Sequence, residues 1–511
     1  MWINKARALT LLAIAWPGMM FAQTPLSAID WLSDSVATPV AMPKDTLNSD
    51  ISQNALPESV TVTLLGHTLP DAVGLLPVNI TGLPHNLWGS SASSDLARRF
   101  KAERVDLFPA IQDLLYTLLL AELDAPKDAS ASSVLFLARV DTLLSLGALE
   151  PALALLERAG FENPEVFRRY FDVSLLIGSE SKACSTLRAT PELSPTFPAR
   201  IFCLARGGSW DAAALTLQTG KALGFVTEEE ETLLSRFLDP GLFEGEPGLA
   251  APTRTNPLIY RMMEAIGEPI PTANLPLAFA NADLNAHSGW KAQIEAAERL
   301  SRTSAIDPNR LLGIYSARSP AASGGVWDRV EAIQNFDDAI SKADTDGVSA
   351  TLESAWNAAA KVELEIAFAQ LFADQLSRLP IQEQSQALSF RIGLLSKNYE
   401  NAANSYNASS DRDRFLQQIA TGQAADKPVS NPLMAAVRDG FLANGVPIRL
   451  QSLTNNNRLG EAILRAMELF TNGSRGDFDE VSDALAFFRA VGLEDTARRA
   501  ALQLLLLERR G

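Results

Sequence analysis

The fold of this chain is decided by three stretches of sequence: FLARVDTLLSLGALEPALALLERA (136–159), FRRYFDVSLLIGSESKACSTLRAT (167–190) and FPARIFCLARGGSWDAAALTLQTG (197–220). Each begins with phenylalanine and has glycine at +11, alanine at +16, leucine at +20 and a small residue at +23. The glycines recur after 31 and then 30 residues. Such a period without strand patterning is typical of a two-helix unit that buries its apolar face against the next unit. The sequence therefore predicts an all-α stack of helical hairpins.

The glycine, alanine and large apolar positions of these stretches resemble those of tetratricopeptide-like repeats. In that family the glycine closes the turn of a hairpin and the alanine lets its second helix pack closely on the first. Pro164 and Pro195, each 17 residues after a glycine, match the family's proline before the next unit. Val140, Phe171 and Ile201 are larger than the residue the family prefers there, and the period is shorter than the usual 34 residues. The resemblance implies an α-solenoid, but peptide-binding positions cannot be transferred from it.

The N-terminus has the composition of a cleaved secretory signal. Lys5 and Arg7 precede the apolar run 8–16, and Ala22 is a small residue at the expected cleavage point. The apolar run is too short to span a bilayer, although a membrane anchor is the alternative interpretation. Residues 1–22 are therefore predicted to be a signal peptide that exports the chain to the periplasm of a Gram-negative cell.

Five further segments follow in the predicted organisation. Residues 23–57 are an extended tether whose apolar island, 26–36, either docks on the helices or binds a partner. Residues 58–92 form a small irregular or β element, with Ser59–Leu65 as its strand candidate. A tetratricopeptide-like array at 93–239 is followed by a proline-rich linker or elbow at 240–276. A second helical array fills 277–511 and ends in a capping helix.

Cys184 and Cys203 are the only cysteines, and they flank a loop rich in proline and serine. Antiparallel helices joined by this loop would place the two residues at the same height. A disulfide between Cys184 and Cys203 is expected, because it would persist in an exported protein. The alternative is a pair of buried free thiols.

The balance of charge excludes several kinds of partner. The formal net charge is −16, and removal of Lys5 and Arg7 with the signal would lower it to −18. Such a chain repels the phosphate backbone of nucleic acid and anionic lipid heads. No stretch after the signal reaches 18 uninterrupted apolar residues, so we expect no stable membrane insertion after cleavage.

No pattern of catalytic or metal-binding residues outweighs its structural interpretation, so no catalytic residue, cofactor or metal is predicted. His67 and His85 lack further ligands at a suitable spacing. Residues 342–353 resemble a calcium loop, but Lys342 stands where its first carboxylate is needed. Neither a nucleophile elbow nor a glycine-rich phosphate loop occurs.

One loop is a candidate ligand site. Ser323, Gly324 and Gly325 precede a helix start that carries Trp327 and Arg329. Consecutive backbone amides beside an arginine can hold an anion, and a tryptophan can stack on a sugar or peptide. The structural alternative is an ordinary turn between two helices, with Trp327 in the core.

These observations favour a periplasmic helical-repeat scaffold or adaptor that binds protein or peptide partners in the cell envelope without catalysis. Its concave face, formed by the first helices of successive units, would present the binding side chains. The alternative is a cell-wall-associated protein related to the superhelical domain of soluble lytic transglycosylases. That alternative depends on an analogy between folds.

Overall fold

The structure, a computed structural model, describes residues 69–320, 322–423, 429 and 431–507. The predicted signal, the tether, the strand candidate Ser59–Leu65 and His67 lie outside these residues. Within them the secondary structure is helical, with 25 α-helices and no strand. The prediction of an all-α chain is confirmed for the described part.

The N-terminal segment is irregular where the structure describes it. A 3₁₀ turn at Pro70–Ala72 and a short helix, α1 (Val78–Thr81), are its regular elements. An isolated bridge pairs Leu76 with Ala121, and within the described residues it is the only β pairing of this segment. The β part of the prediction is therefore reduced here to a single bridge.

The predicted first array forms nine helices of ordinary length. They are α2 (Ser93–Ala102), α3 (Pro109–Leu120), α4 (Val134–Ser145), α5 (Leu149–Ala159), α6 (Pro164–Ile177), α7 (Glu180–Ala189), α8 (Phe197–Arg206), α9 (Trp210–Ala222) and α10 (Glu228–Leu238). The three stretches that carry the repeated pattern become the hairpins α4–α5, α6–α7 and α8–α9. Helix α10 begins with a capping box between Thr227 and Glu230, as carboxylates suit a helix N-terminus.

The repeated glycines occupy the turns within the hairpins. Gly147, Gly178 and Gly208 have φ angles of 75°, 76° and 80°, a conformation that glycine adopts without strain. Gly147 also allows a close approach, because a Cβ there would lie 2.6 Å from Cδ2 of Leu300. The spacing of these residues thus has a local physical cause.

The proline-rich segment contains a helix and packs back on the first array. Helix α11 (Pro257–Ala265) starts at Pro257 with Asn256 as its cap. It contacts α6, and Arg261 Nε donates to the carbonyl of Leu175 at 2.5 Å. A 3₁₀ turn at Leu277–Phe279 then contacts α4. A linker between two separate arrays is therefore an incomplete description of this segment.

The remaining helices continue to the end of the described chain. They are α12 (Ala280–Asp283), α13 (Trp290–Arg302), α14 (Pro308–Tyr315), α15 (Val326–Ser341), α16 (Thr345–Ala360), α17 (Glu365–Leu376), α18 (Glu383–Leu394), α19 (Tyr399–Ser405), α20 (Asp411–Ala420), α21 (Pro432–Leu442), α22 (Ile448–Asn455), α23 (Leu459–Gly473), α24 (Phe478–Ala490) and α25 (Glu494–Leu506).

The last helix returns to the start of the helical body. Helix α25 packs on α3, where Gln503 accepts from the Ala110 amide at 2.8 Å and Arg499 pairs with Asp113 at 2.6 Å. Helix α23 packs on α2, where Arg99 pairs with Glu461 at 3.1 Å. The expected capping helix is thus wrong in one respect, because α25 joins the two ends of the chain instead of closing a free end.

Contacts between helices therefore form a closed circuit. They lead from α3 to α4, through the turn Leu277–Phe279 to α12, α13, α14, α17, α18, α19, α20 and α25, and back to α3. The buried apolar side chains belong to one cluster that crosses the predicted boundary between the arrays. The first helices of the first two hairpins, α4 and α6, are buried along most of their length. They cannot present side chains on an open concave face.

Candidate functional site

The predicted ligand loop forms the start of α15. Ser323, Gly324 and Gly325 are exposed. The amide of Gly324 donates to Oδ1 of Asp328 at 2.7 Å, so this carboxylate already occupies a donor that an anion would need. Trp327 packs at the helix start, with its ring centroid 5.1 Å from that of Trp290.

Arg329, the cation of this loop, is held inside the helical body. Its guanidinium forms two bonds to Glu298, Nε to Oε1 at 2.6 Å and Nη2 to Oε2 at 2.7 Å. Tyr315 donates to the same carboxylate at 2.7 Å. Burial, together with the negative charge of Glu298, raises the pKa of Tyr315 well above its usual value. Ligand binding by this loop stays a prediction, and it would have to compete with these internal partners.

The two cysteines lie on neighbouring antiparallel helices. Cys184 in α7 and Cys203 in α8 are both buried, and their Cα atoms are 5.0 Å apart. This separation suits a disulfide, and the sulfurs are at bonding distance. The predicted pairing is therefore geometrically met, and it joins the second hairpin to the third.

Helix α9 exposes an uncharged stripe that the sequence reasoning missed. Ala212, Leu215, Thr219 and Leu223 recur at helical spacing and are exposed, with 70% of Leu215 and 61% of Leu223 accessible. We call these four residues the α9 stripe. The Thr219 hydroxyl donates to the Leu215 carbonyl at 2.8 Å, so its hydrogen-bonding capacity is used within the helix. The stripe extends about 16 Å along the helix.

The same positions in the preceding hairpins are polar or small. In α7 the counterparts of Ala212 and Leu215 are Lys182 and Ser185, and in α5 the counterpart of Thr219 is Arg158. Lys182 and Arg158 form ion pairs with neighbouring carboxylates. An exposed leucine on a helix surface without charges is thus a property of the third hairpin, and apolar patches of this kind mark interaction surfaces.

Trp210 extends the apolar character to the flank of α9. Half of its surface is exposed, although its ring lies 6.4 Å from that of Phe237 in α10. Its counterpart in the second hairpin is Glu180, which is buried and paired with Arg206. A tryptophan with one exposed face is a frequent anchor in protein interfaces.

A second group missed from the sequence is Glu103, at the seam between α2 and α23. Its side chain is half-buried in a cavity of about 560 Å³, and no described residue hydrogen-bonds its carboxyl group. Burial, and then the nearby charge of Glu468, raises the pKa of Glu103 to about 8. Glu468 itself is ion-paired with Arg465 at 2.6 Å. Glu103 is therefore protonated at neutral pH beside an ionised acid.

Two further classes of site are not found in the described residues. No group of three or more metal-ligating side chains occurs there. In the loop that resembles a calcium site, Asp344 instead caps α16 by accepting from the Gly347 amide at 3.1 Å. None of these helices is long and apolar enough to cross a bilayer.

Comparison with known proteins gives no relative. No protein-family model, no curated protein and no solved structure matches this chain. The function must therefore be argued from the surfaces and cavities of the molecule itself.

Sequence signals for the missed residues exist only in part. Leu215 and Leu223 fall outside the buried positions Ala213, Leu217 and Gly220, so an apolar second side of α9 could have been noticed. Glu103 gives no such signal. Its environment depends on α23, which lies more than 350 residues further along the chain.

Proposed function

We propose that this chain is an exported helical-repeat scaffold or adaptor that binds a protein or peptide partner in the cell envelope without catalysis. The observation that carries the proposal is the α9 stripe, an apolar helix surface left uncovered at the end of three hairpins. A partner would bury Leu215 and Leu223 by laying an amphipathic helix along α9. Trp210 lies on the flank of the stripe, where it would anchor the edge of the contact.

The mode of action differs from the concave face expected from the sequence. Helices α4 and α6 are buried, so binding on α9 would use the outer surface of the third hairpin. The tetratricopeptide-like character of the hairpins is supported by the left-handed glycines in their turns. Export to the periplasm is supported by the N-terminal sequence and fits the cysteine pair at disulfide distance.

Site-specific crosslinking in the native cell tests the proposal. A photoreactive amino acid at position 215 should give an adduct with a defined protein. The same amino acid at position 185, the equivalent exposed position of the second hairpin, is the matched control. Equal adducts at the two positions, or none at 215 when the protein is folded and exported, would contradict binding at α9.

The cell-wall alternative is favoured by one observation, the protonated Glu103 beside ionised Glu468 in a cavity. Two acids with different pKa values are the arrangement that glycoside cleavage uses. Incubation with purified peptidoglycan decides between the two functions. The scaffold proposal expects no soluble fragments, whereas release that is abolished by Glu103→Gln would establish the enzyme.

A further inference from the structure

The closed circuit of helices encloses two adjoining cavities. One, of about 360 Å³, lies among loop 105–108, Leu277, the last turn of α13 and the end of α23. The other, of about 490 Å³, lies among α3, loop 301–308 and the start of α17. Arg302 and Glu363 line both cavities. The two spaces therefore meet at Arg302, where segments from distant parts of the chain come together.

Three cations on the walls of these cavities have no carboxylate partner among the described residues. Arg302 and Lys397 form no ion pair there. Arg299 donates only to backbone, to the carbonyls of Thr272 and Leu275 at 3.0 Å each. In a chain of net charge −16, where most arginines are paired, this is an unusual concentration of uncompensated positive charge.

The acids on the same walls are mostly engaged already. Asp106 is paired with Arg104 at 2.7 Å and with Arg475 at 3.1 Å. Asp113 is paired with Arg499. Asp307 accepts from the amide of Asn309 at 2.8 Å and so caps α14. Glu363 also faces the cavities, which leaves α13 as the positive side of the space.

The smaller cavity also has an apolar wall. Val105, Leu107, Phe108 and Leu277 line it opposite the arginines of α13. Val105 is 39% exposed, so an apolar group placed there would remove it from water. A ligand that fits this wall has an apolar body as well as a negative charge.

We propose that this cavity binds a small organic carboxylate, with its charged head on the Arg302 guanidinium and its apolar body against Val105, Leu107 and Leu277. A guanidinium recognises a carboxylate through two parallel hydrogen bonds, and Arg299 adds a second positive charge one helical turn away. This site is independent of the α9 stripe, and neither depends on the other.

A structural role alone does not explain these arginines. Arginine in the last turn of a helix interacts favourably with the helix dipole, which accounts for cations at this end of α13. It does not account for the combination of two unpaired cations with an apolar wall in one enclosed space. Because the cavity joins α13 to loop 105–108 and to the end of α23, a bound carboxylate would also stabilise closure of the circuit.

Calorimetric titration of the purified full chain with hexanoate tests the proposal. Hexanoate should bind saturably with a Kd below about 1 mM and should raise the melting temperature. Arg302→Gln should weaken binding at least about tenfold while its own melting temperature without ligand stays unchanged. Arg200→Gln is the matched control, since Arg200 is an exposed arginine of α8 without an ion pair among the described residues and should bind hexanoate as the unaltered protein does.

Two further probes separate the parts of the site. Hexanol has the apolar body without the charge, and inorganic phosphate has the charge without the body. Both should bind at least about tenfold more weakly than hexanoate. Equal binding of either probe, no saturable binding of hexanoate, or unchanged binding by Arg302→Gln would overturn the proposal.

Discussion

Helices α6 and α9 belong to the same run of three hairpins, yet they lie in opposite environments. Eleven consecutive residues of α6, Val166–Leu176, are buried, whereas only Ala213, Leu217 and Gly220 of α9 are buried. Helix α6 is contacted by α5, α7, α11 and α12, and α9 by α8 and α10. The difference therefore comes from what the rest of the chain places around each hairpin.

The content of the two helices follows from this difference. Covered on all sides, α6 holds Arg168, Arg169 and Asp172 away from water, where charges are tolerated only with partners. Helix α9 has a free side and places Leu215 there without a partner from its own chain. A repeat pattern thus fixes how helices pair within a hairpin, and long-range packing decides which surface becomes core and which becomes available.

The largest effect is expected from removing a charge inside the covered hairpin. Arg169 binds Asp141 through Nε at 2.5 Å and Nη2 at 3.0 Å, and both residues are buried. Arg169→Ala should lower the free energy of unfolding by about 3–5 kcal/mol, because it leaves a buried carboxylate without its main partner. Chemical denaturation followed by circular dichroism measures the loss.

Two variants make this experiment specific. Arg188→Ala removes an exposed arginine of α7 that bonds only the Ser185 hydroxyl, so it should cost less than about 0.5 kcal/mol. Adding Asp141→Asn to Arg169→Ala should restore part of the lost stability, since the uncompensated charge disappears. Equal losses in Arg169→Ala and Arg188→Ala would show that α6 is not the covered helix described above.

The next effect concerns the covalent link between the covered and the exposed hairpin. Replacing both Cys184 and Cys203 by alanine, or reducing the bond, should lower the free energy of unfolding by about 3 kcal/mol on the chain-entropy estimate for a loop of this length. Thermal unfolding with and without reductant measures the change. The exported protein should also show no reactive thiol after denaturation without reductant, and titration of two thiols would count against the bond.

Much of the helical architecture was predictable from local sequence. The glycine, alanine and leucine positions of the three hairpins mark the turns and the close contacts, and a helix forms in each predicted place. The acidic run at 228–231 likewise marks the start of α10. These predictions succeed because hairpin contacts lie within about 30 residues, so that the pattern that specifies them is written in one stretch.

The closure of the helical body was not predictable in the same way. It depends on pairs such as Arg499 with Asp113 and Gln503 with Ala110, which are separated by 386 and 393 residues and leave no periodic trace. The same reason hid the environment of Glu103 and the cavity beside Arg302. The loop at 323–329 was found from its sequence, but the sequence could not reveal that Glu298 occupies Arg329.

A smaller, pH-dependent effect tests the burial of α6. Burial raises the pKa of Asp172 to about 7, although Arg168 and Arg169 oppose the shift. The folded state therefore holds a proton that the unfolded chain loses near pH 4, and the contribution of Asp172 to stability falls as the pH rises from about 4 to 7. Asp172→Asn stays neutral. Its stability relative to the unaltered protein should rise by about 2 kcal/mol between pH 5 and pH 8.

Urea denaturation of both proteins at several pH values measures this difference and cancels the titration of other groups. The sign is diagnostic, because an ionised Asp172 stabilised by its arginines would make the variant relatively less stable as the pH rises. A difference that does not change with pH would mean that water reaches Asp172 and that α6 is less covered than α9 only in degree.

The smallest effect on stability, and the sharpest test of the comparison, is expected at Leu215. Leu215→Ser installs the residue found at the equivalent position of the second hairpin, on a side chain already 70% exposed. Its loss should change the free energy of unfolding by less than about 0.5 kcal/mol, whereas Leu217→Ser, two residues further on in the buried face, should cost several times more. The partner captured by crosslinking at position 215 should no longer co-purify with Leu215→Ser. If this variant destabilises the chain as Leu217→Ser does, α9 is covered by the protein itself, and the distinction between the second and third hairpins disappears.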